Sequence, residues 1–398
     1  MSKTSIVILG AGGATSALAQ ALDKGLDPTK HEVIIVSAAD YYRILPAALR
    51  TVVTAEGKLE ERMAVPYDNV FAKTSRSTEK LKGRVASFVF GKVVGVEEKE
   101  NGEGGQILLE DGKRIGWDYL VVATGSDWAG PLRWPTKKAE LGQYLDAWRE
   151  KFASAKSVVL AGAGAVGCEL AGEIKDFYPK TEVTLVQRGD LVLNNTYPDA
   201  FRQRVANELA AKGVKVLTGD TVNNLSEGIL DGSEGVVSGR TITTSKGVTV
   251  SAELIIPTGG RLGVNTSFIS SSTAPTIFKA VGGDGHLAVK PTLQLTTNPR
   301  VFACGDVVAL NEQHTLMKSA AHAGVIAANL LSIIQSKGQL KNYSKPTDMI
   351  LITNGRTRGS AYMGTIFGFN IILGSWFSVM VKSKGLMIGM ARGGLNQP

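Results

Sequence analysis

Short apolar runs recur along this chain, and several of them end at glycine and lead into a helical pattern. Residues 5–9, SIVIL, are apolar at nearly every position, the pattern of a parallel strand buried on both faces. Gly10-Ala11-Gly12-Gly13-Ala14-Thr15 follows, then the helical run SALAQAL, then a second β-rich run from Glu32 to Val36. Residues 157–161, SVVLA, repeat the arrangement with Gly162-Ala163-Gly164-Ala165-Val166-Gly167, a helical CELAGEI, and EVTLV at 182–186. Two more runs, DYLVVATGSD (118–127) and AELIIPTGG (252–260), each place an acid before an apolar strand that ends at Thr-Gly. A stretch at 84–120 predicts a small sheet ahead of the 118–127 strand. VFAC at 301–304 predicts a short strand, and MKSAAHAGVIAANLLSII a helix with an apolar stripe.

This order predicts an α/β fold with two Rossmann-like dinucleotide-binding domains plus a small C-terminal domain. The first domain is expected to be discontinuous, 1–128 plus 263–340. The second fills the gap, 129–262, and the tail, 341–398, forms a third unit. Two copies of a glycine turn in one chain carry more information than one, because one fold can hold FAD while the other presents a nicotinamide to it.

The physical reason lies in the turns. Gly10 permits a tight turn, Gly12 lets the backbone approach a pyrophosphate, and the helix N-terminus beyond offers its N–H groups to that anion. Gly13 and Ala14 begin that helix. The first copy is imperfect: Thr15 stands where the third glycine is expected, and Ser37 follows the second strand where an acid usually holds the ribose. Asp40 is a candidate for part of that contact or a loop residue. The second copy is complete, from Gly162 through Gly164, Ala165 and Val166 to Gly167. Gln187-Arg188 follows its second strand where an acid would repel a 2′-phosphate, so NADPH is expected at least as readily as NADH, with solvated surface the alternative for Arg188. Glu169 and Glu173 share a helix face just after the turn. Glu169 is the candidate to border flavin and nicotinamide; a solvated helix face is the alternative.

Composition narrows the chemistry. Only Cys168 and Cys304 are present, with no CxxC pair, so a dithiol–disulfide reductase and a disulfide framework are not expected. The four histidines lack metal-ligand spacing. A formal charge of +8 suits anionic cofactors, a negative membrane surface or nucleic acid without choosing among them. The apolar start is too short for a signal peptide, Ser2 replaces the glycine that N-myristoylation needs, and no uninterrupted apolar run is long enough to span a membrane.

The segments that would close the flavin site are Ala123-Thr124-Gly125, Gly259 in the parallel TGG turn, and Gly305-Asp306, whose carboxylate can accept hydrogen bonds from ribityl hydroxyls. The helix after it gives Lys318 and His322 candidate places near the flavin ring. Val94 completes the candidate cofactor set.

With ILGAGGAT, LPAALR at 45–50, DYLVVATGS, LAGAGAVGCELAGEI, FACGDV, MKSAAHAG and the tail NGRTRGSAYMGTIFGF, the chain resembles the pyridine nucleotide–disulfide reductase superfamily. Within it the resemblance is to the apoptosis-inducing-factor-like proteins, a group that includes the ferroptosis suppressor proteins. It covers nearly the whole chain. The resemblance implies FAD-dependent NAD(P)H oxidation with a quinone acceptor, Asp306 on the ribityl chain, Arg50 near the flavin phosphates, Lys318 beside the isoalloxazine and Glu169 at the nicotinamide–flavin junction. Thr15, Ser37 and the missing myristoylation glycine depart from its pattern.

In the tail, residues 366–381 are mostly apolar, with Lys382 and Lys384 after them and Arg356 and Arg358 before. One reading is peripheral membrane contact, the lysines on anionic headgroups; the other is a unit packed on the flavin site or on a second subunit. In either case Trp376 and Phe377 could form a hydrophobic mouth for a quinone. The address expected is cytoplasmic, or peripheral on the mitochondrial outer membrane, lipid droplets or other membranes. Two rivals stand beside the quinone reductase: a reductase feeding a ferredoxin, and a DNA-binding cell-death effector, the latter without any basic run interleaved with aromatics.

Overall fold

Strands that are apolar on both faces stack side by side into two parallel sheets in the computed structural model, which describes residues 3–67, 85–100, 102–366 and 368–395. Ser2 and Phe367 lie outside the described residues. In the first sheet, Thr4–Leu9 pairs in parallel with His31–Ser37 on one side and Tyr119–Val122 on the other; Val301–Ala303 and Ala86–Phe90 form its edges. The second sheet sets Ser157–Ala161 between Glu182–Gln187 and Leu254–Pro257, with Val214–Thr218 beyond. Ile6 to Leu9 and Val158 to Leu160 have no exposed surface, as strands covered on both faces must.

The sequence reading placed 84–120 in one small sheet. The structure divides it: Ala86–Phe90 joins the first parallel sheet beside His31–Ser37, and the separate three-stranded sheet is Val93–Glu98, Gly105–Leu109 and Arg114–Trp117. As an edge strand, Ala86–Phe90 leaves its side chains half-buried or exposed, and its place in the sheet rests on backbone pairing with His31–Ser37.

Helix Gly13–Gly25 lies against helix Leu316–Ile334, and glycine at both its ends makes the approach possible. A Cβ on Gly13 would stand 2.1 Å from Leu316 Cδ1, and one on Gly25 2.7 Å from the Leu331 methyls. Leu18, Leu22, Ile326 and Leu330 are fully buried between and beneath them, worth about 1.5–3 kcal/mol each. Helix 316–334 is long and apolar enough to cross a membrane by length and composition. It is nevertheless an interior helix here, with Lys318, His322 and Asn329 on its buried surface.

The two sheets are joined by short antiparallel strands, Ser126–Trp128 and Arg261–Val264, which continue directly from the ends of the two crossover strands. The tail forms its own sheet, Ile350–Asn354, Arg358–Ile366 and Phe369–Leu373, followed by the helical stretch Ser375–Ser378 and Val379–Ser383. The apolar run at 366–381 is therefore broken between a strand and a helical turn. The tail sheet sits on helices Ala165–Phe177 and Asp199–Ala210: Asn354 Nδ2 donates to Glu208 O at 2.9 Å, and Ser360 donates to the Glu208 carboxylate at 2.9 Å. A Cβ on Gly172 would meet Asn354 Oδ1 at 2.6 Å, so this glycine admits the tail.

Candidate functional site

The sequence-predicted glycine turns all lie where parallel strands end. Leu9 leads into Gly10, Val122 into Ala123-Thr124-Gly125, Ala303 into Cys304-Gly305-Asp306, and His31–Ser37 ends at Ser37. Ala161 leads into Gly162, Glu182–Gln187 ends at Gln187, and Pro257 leads into Thr258-Gly259. Carboxyl ends of parallel strands are where such folds bind ligands.

Each turn is tight for a visible reason. Gly10 has φ +94°, and a Cβ there would be 2.3 Å from Ala123 O; Gly162 has φ +129°, and its Cβ would be 2.5 Å from the Gly259 backbone. By contrast, a Cβ on Gly12 would meet nothing within 4 Å. Gly12 and Gly164 are the N-caps of their helices, with no side chain capping either. Open space in front of uncapped N–H groups fits a pyrophosphate. Ala14 is buried, and Ala165 and Val166 are partly so, in the first turns behind these caps.

Thr15 explains its own departure. Its hydroxyl, fully buried, donates to Gly10 O at 2.8 Å. In the second fold the Gly167 position is filled by the loop itself, its Cβ site 2.0 Å from Gly162 O, and the hydroxyl that donates to Gly162 O comes from Thr258 at 2.6 Å. The carbonyl is satisfied both times, from the helix in one fold and from the crossover strand in the other.

Asp306 sits at the seam between the sheets. It accepts from Ser126 Oγ at 2.7 Å, and Arg261 Nη1 stands 3.4 Å from its carboxylate. Arg261 also donates to Ser126 and approaches His314 Nδ1 at 3.2 Å. Burial and the nearby Arg261 push the His314 pKa down. Arg261 and His314 were not read from the sequence; an isolated Arg after TGG and a lone His in a polar loop carry no spacing signal. Behind this loop, Gly305 N–H donates to His322 Nδ1 at 3.2 Å, and His322 Nε2 faces Glu312 at 3.1 Å. Burial lowers the His322 pKa against the pull of Glu312, in keeping with a neutral ring that accepts an amide N–H. Cys304, in the same turn, is fully buried and its thiol is pushed up to about 12; burial also raises Cys168. Both thiols are free.

The remaining candidates are dispersed. Lys318 is buried and paired with Asp348. Burial opposes ionisation of that carboxyl, yet Lys318 and Lys345 hold it below its usual range. Arg50 is also buried, and its Nε and Nη2 donate to the two Glu173 oxygens at 2.8 and 2.9 Å, joining helix Leu45–Val53 to helix Ala165–Phe177. Glu169 accepts from Thr353 N at 2.8 Å, from Thr353 Oγ1 at 3.0 Å and from Lys382 Nζ at 2.6 Å. Gln187 Oε1 accepts from Ala163 N at 3.0 Å under the glycine turn, while Arg188 is exposed with its guanidinium free among the described residues. Gln187 borders a cavity of about 440 Å³ together with Asp190, Leu193, Asn195 and Arg202. Ser37 is buried, and its hydroxyl accepts from Ala39 N at 3.1 Å. Asp40 accepts from Lys138 N at 2.8 Å, a loop contact. Val94 is the extra residue of a bulge in the small sheet and is exposed.

Two parallel sheets with glycine cradles at their carboxyl ends, joined through a polar seam, define a two-dinucleotide oxidoreductase of the flavoprotein type. Residues 4–325 match the family model described as pyridine nucleotide-disulphide oxidoreductase. The chain is 35% identical over 340 residues, 85% of its length and 97% of the relative's, to FAD-dependent oxidoreductase FVFD30 of Flammulina velutipes. It is 27% identical to apoptosis-inducing factor homolog B of Dictyostelium discoideum, covering 100% of this chain and 98% of that one. It is also 27% identical to human ferroptosis suppressor protein 1, covering 96% and 93%. The sulfide:quinone oxidoreductase of Aquifex aeolicus shares the fold, with a TM-score of 0.72 at 14% identity over 99% of this chain and 92% of that one. The chain belongs to the pyridine nucleotide–disulphide oxidoreductase family. It is an FAD-dependent oxidoreductase similar to the apoptosis-inducing factor homologues, and its cofactors are FAD and a pyridine nucleotide.

Proposed function

We propose that this protein is an NAD(P)H:quinone oxidoreductase in which the first cradle, with Gly10, Gly12, Ala123–Gly125 and Asp306, holds FAD and the second, Gly162–Gly167 with Gly259, holds the pyridine nucleotide. The observation that carries the reading is the seam: the strands leaving the two cradles pair with each other, and Asp306 meets Ser126 from one and Arg261 from the other. Cofactors seated in the two cradles would therefore extend toward a common junction. When bound, the flavin supplies the capacity to accept a hydride from the nicotinamide and to pass two electrons onward. The chain's own part is positioning. Asp306 accepts hydrogen bonds from ribityl hydroxyls. The Gly305 amide held by His322 fixes the loop that carries it, and the buried thiols keep sulfur chemistry out of the reaction.

Arg188, exposed and unengaged, supports acceptance of a 2′-phosphate, so NADPH serves at least as well as NADH. The quinone is supported by the resemblance and by the Trp376–Phe377 pair, whose rings stand 5.8 Å apart on the helical stretch that also carries Lys382. A peripheral membrane position is supported by Phe369 (75% exposed), Trp376 (69%), Met380 (66%) and Met390 (68%), with Lys384 exposed among them. Arg356 is committed elsewhere, to Glu56 at 3.0 Å and to Asp176.

The test is anaerobic stopped-flow reduction of the FAD-loaded protein by NADH and by NADPH, followed by mixing with a short-chain ubiquinone or with a ferredoxin. Bleaching by nicotinamide and reoxidation by the quinone is expected. Arg188→Ala should weaken NADPH about tenfold and leave NADH unchanged. A chain that cannot bind FAD, or one that reduces ferredoxin and not quinone, would overturn the reading.

A further inference from the structure

The loop that carries Asp306 leaves the carboxyl end of Val301–Ala303, in the sheet of the first glycine turn, and returns as helix Leu316–Ile334, whose Leu316 reaches the Gly13 position of that turn. A chain of buried polar groups stands behind this loop. Gly305 N–H donates to His322 Nδ1 at 3.2 Å, His322 Nε2 faces Glu312 Oε1 at 3.1 Å, and Tyr343 Oη donates to Glu312 Oε2 at 2.8 Å. The His322 and Glu312 side chains are each 1% exposed, and neither Nε2 nor Oε1 has another hydrogen-bond partner among the described residues. Tyr343 lies in the segment that leads to the tail. Its ring packs edge-on against His322, with centroids 4.5 Å apart, and its own N–H donates to Pro291 O at 2.7 Å. Asn329, fully buried on the same helix as His322, holds the adjoining Lys341 by both its N–H and its carbonyl.

We infer that Glu312 and Tyr343 are positioning residues for the flavin: they hold His322 as the tautomer with its proton on Nε2, which leaves on Nδ1 the lone pair that the Gly305 amide needs. This rests on the reading above, in which the first cradle holds FAD and Asp306 meets it. A neutral imidazole has one donor and one acceptor nitrogen, and the partners of the ring decide which is which. Opposite Nε2 stands a carboxylate, which only accepts, so the proton belongs there. Were it on Nδ1 instead, two N–H groups would point at each other inside the protein, and the buried Gly305 amide would go unsatisfied. Tyr343 matters because a carboxylate with little access to water needs a second donor. Burial, and then the Glu312 carboxylate, push the Tyr343 pKa up, so the phenol keeps the proton it donates. The segment entering the tail is thereby connected to the Asp306 loop through three successive polar contacts.

The test reads the tautomer and the cofactor separately. NMR of the full chain with nitrogen-labelled histidine reports the protonation of each ring nitrogen, and the His322 signals are those lost in His322→Asn. Titration of the stripped chain with FAD, following flavin fluorescence, gives the affinity. His322 should carry its proton on Nε2 alone at neutral pH. Glu312→Gln, whose carbonyl can still accept from Nε2 while its amide faces the Tyr343 oxygen, should keep that tautomer and hold FAD within about twofold of the parent. Glu312→Leu should lose the tautomer preference and weaken FAD about tenfold, with NADP⁺ affinity unchanged. Tyr343→Phe should weaken FAD about threefold, again with NADP⁺ unchanged. Glu312→Met serves as the second variant should the leucine protein melt early. A parent His322 protonated on Nδ1, or equal FAD affinity in the glutamine and leucine proteins, would overturn the inference alone. A parent chain that binds no FAD would overturn the proposed function, and with it the flavin role inferred for this pair.

Discussion

At the scale of single residues, two positions show how local geometry selects a side chain. Thr15 sits where a glycine is expected, and the reason is the Gly10 carbonyl, which needs a donor and finds one in the Thr15 hydroxyl. Gly167 cannot be replaced in the same way, because the Gly162 carbonyl occupies the space its Cβ would take. The glycine motif was thus fully legible in the second copy, whereas the first looked like a weakened match. The hydroxyl contact that explains Thr15 spans five residues through a turn whose shape the sequence alone does not display. Gly162 offers the sharper experiment. Alanine there must adopt φ +129° and push into the Gly259 backbone, a strain of about 1–3 kcal/mol. Gly162→Ala should lose most pyridine nucleotide affinity in an equilibrium titration and keep its FAD; retention of both cofactors at parent affinity would refute the placement.

At the scale of elements, buried charge decides how helices meet. Arg50 was expected near the flavin phosphates. The structure instead engages both its Nε and Nη2 with Glu173, so the residue joins helix Leu45–Val53 to the helix of the second glycine turn. Nothing in the spacing of LPAALR reveals a partner 123 positions away. Removing one member of a buried pair strands the other, at a cost of about 3–5 kcal/mol. Arg50→Met should show a loss of that size in urea unfolding, and Arg50→Met with Glu173→Leu should recover a large part of it. The edge of the second sheet gives a pH prediction. Burial opposes ionisation of Asp220, yet Thr244 Oγ1 at 2.6 Å, Ser245 Oγ at 2.7 Å and the Thr221 and Lys246 amides outweigh it, and its pKa falls to about 2. Since the folded value lies below the unfolded one, about 4, its stabilisation is complete above pH 4 and fades as pH falls toward 2. The gap in unfolding midpoint between the parent and Asp220→Asn should be wide at pH 7 and narrow at pH 3. A gap of constant width would show that the carboxylate's charge is not what the four donors hold.

At the scale of the whole molecule, the tail is the part that the pattern of the chain described least well. It reads as one apolar run followed by lysines, but it folds into a sheet and a helical stretch with two faces. One face binds the second-cradle helix through Thr353 and Lys382 and helix Asp199–Ala210 through Asn354; the other exposes Phe369, Trp376 and Met380. If the outer face meets lipid, Phe369→Ser with Met380→Ser should reduce co-sedimentation with anionic vesicles several-fold and leave turnover with a water-soluble quinone near the parent rate. Equal vesicle binding by both proteins would direct attention to a second subunit on that face, which sedimentation velocity would reveal.

The sequence by itself determined the two glycine turns, the strands that carry them, the Thr-Gly ends of the crossover strands and the Gly305-Asp306 loop, because each depends on neighbours within a few residues and on burial patterns of short period. The tertiary structure alone decided the partners of Arg50, Glu169, Lys318 and Asp306, the place of residues 86–90 in the parallel sheet, and the two faces of the tail. Those outcomes depend on which charged groups are left without water when distant segments meet. A one-dimensional pattern records the groups but not the meeting.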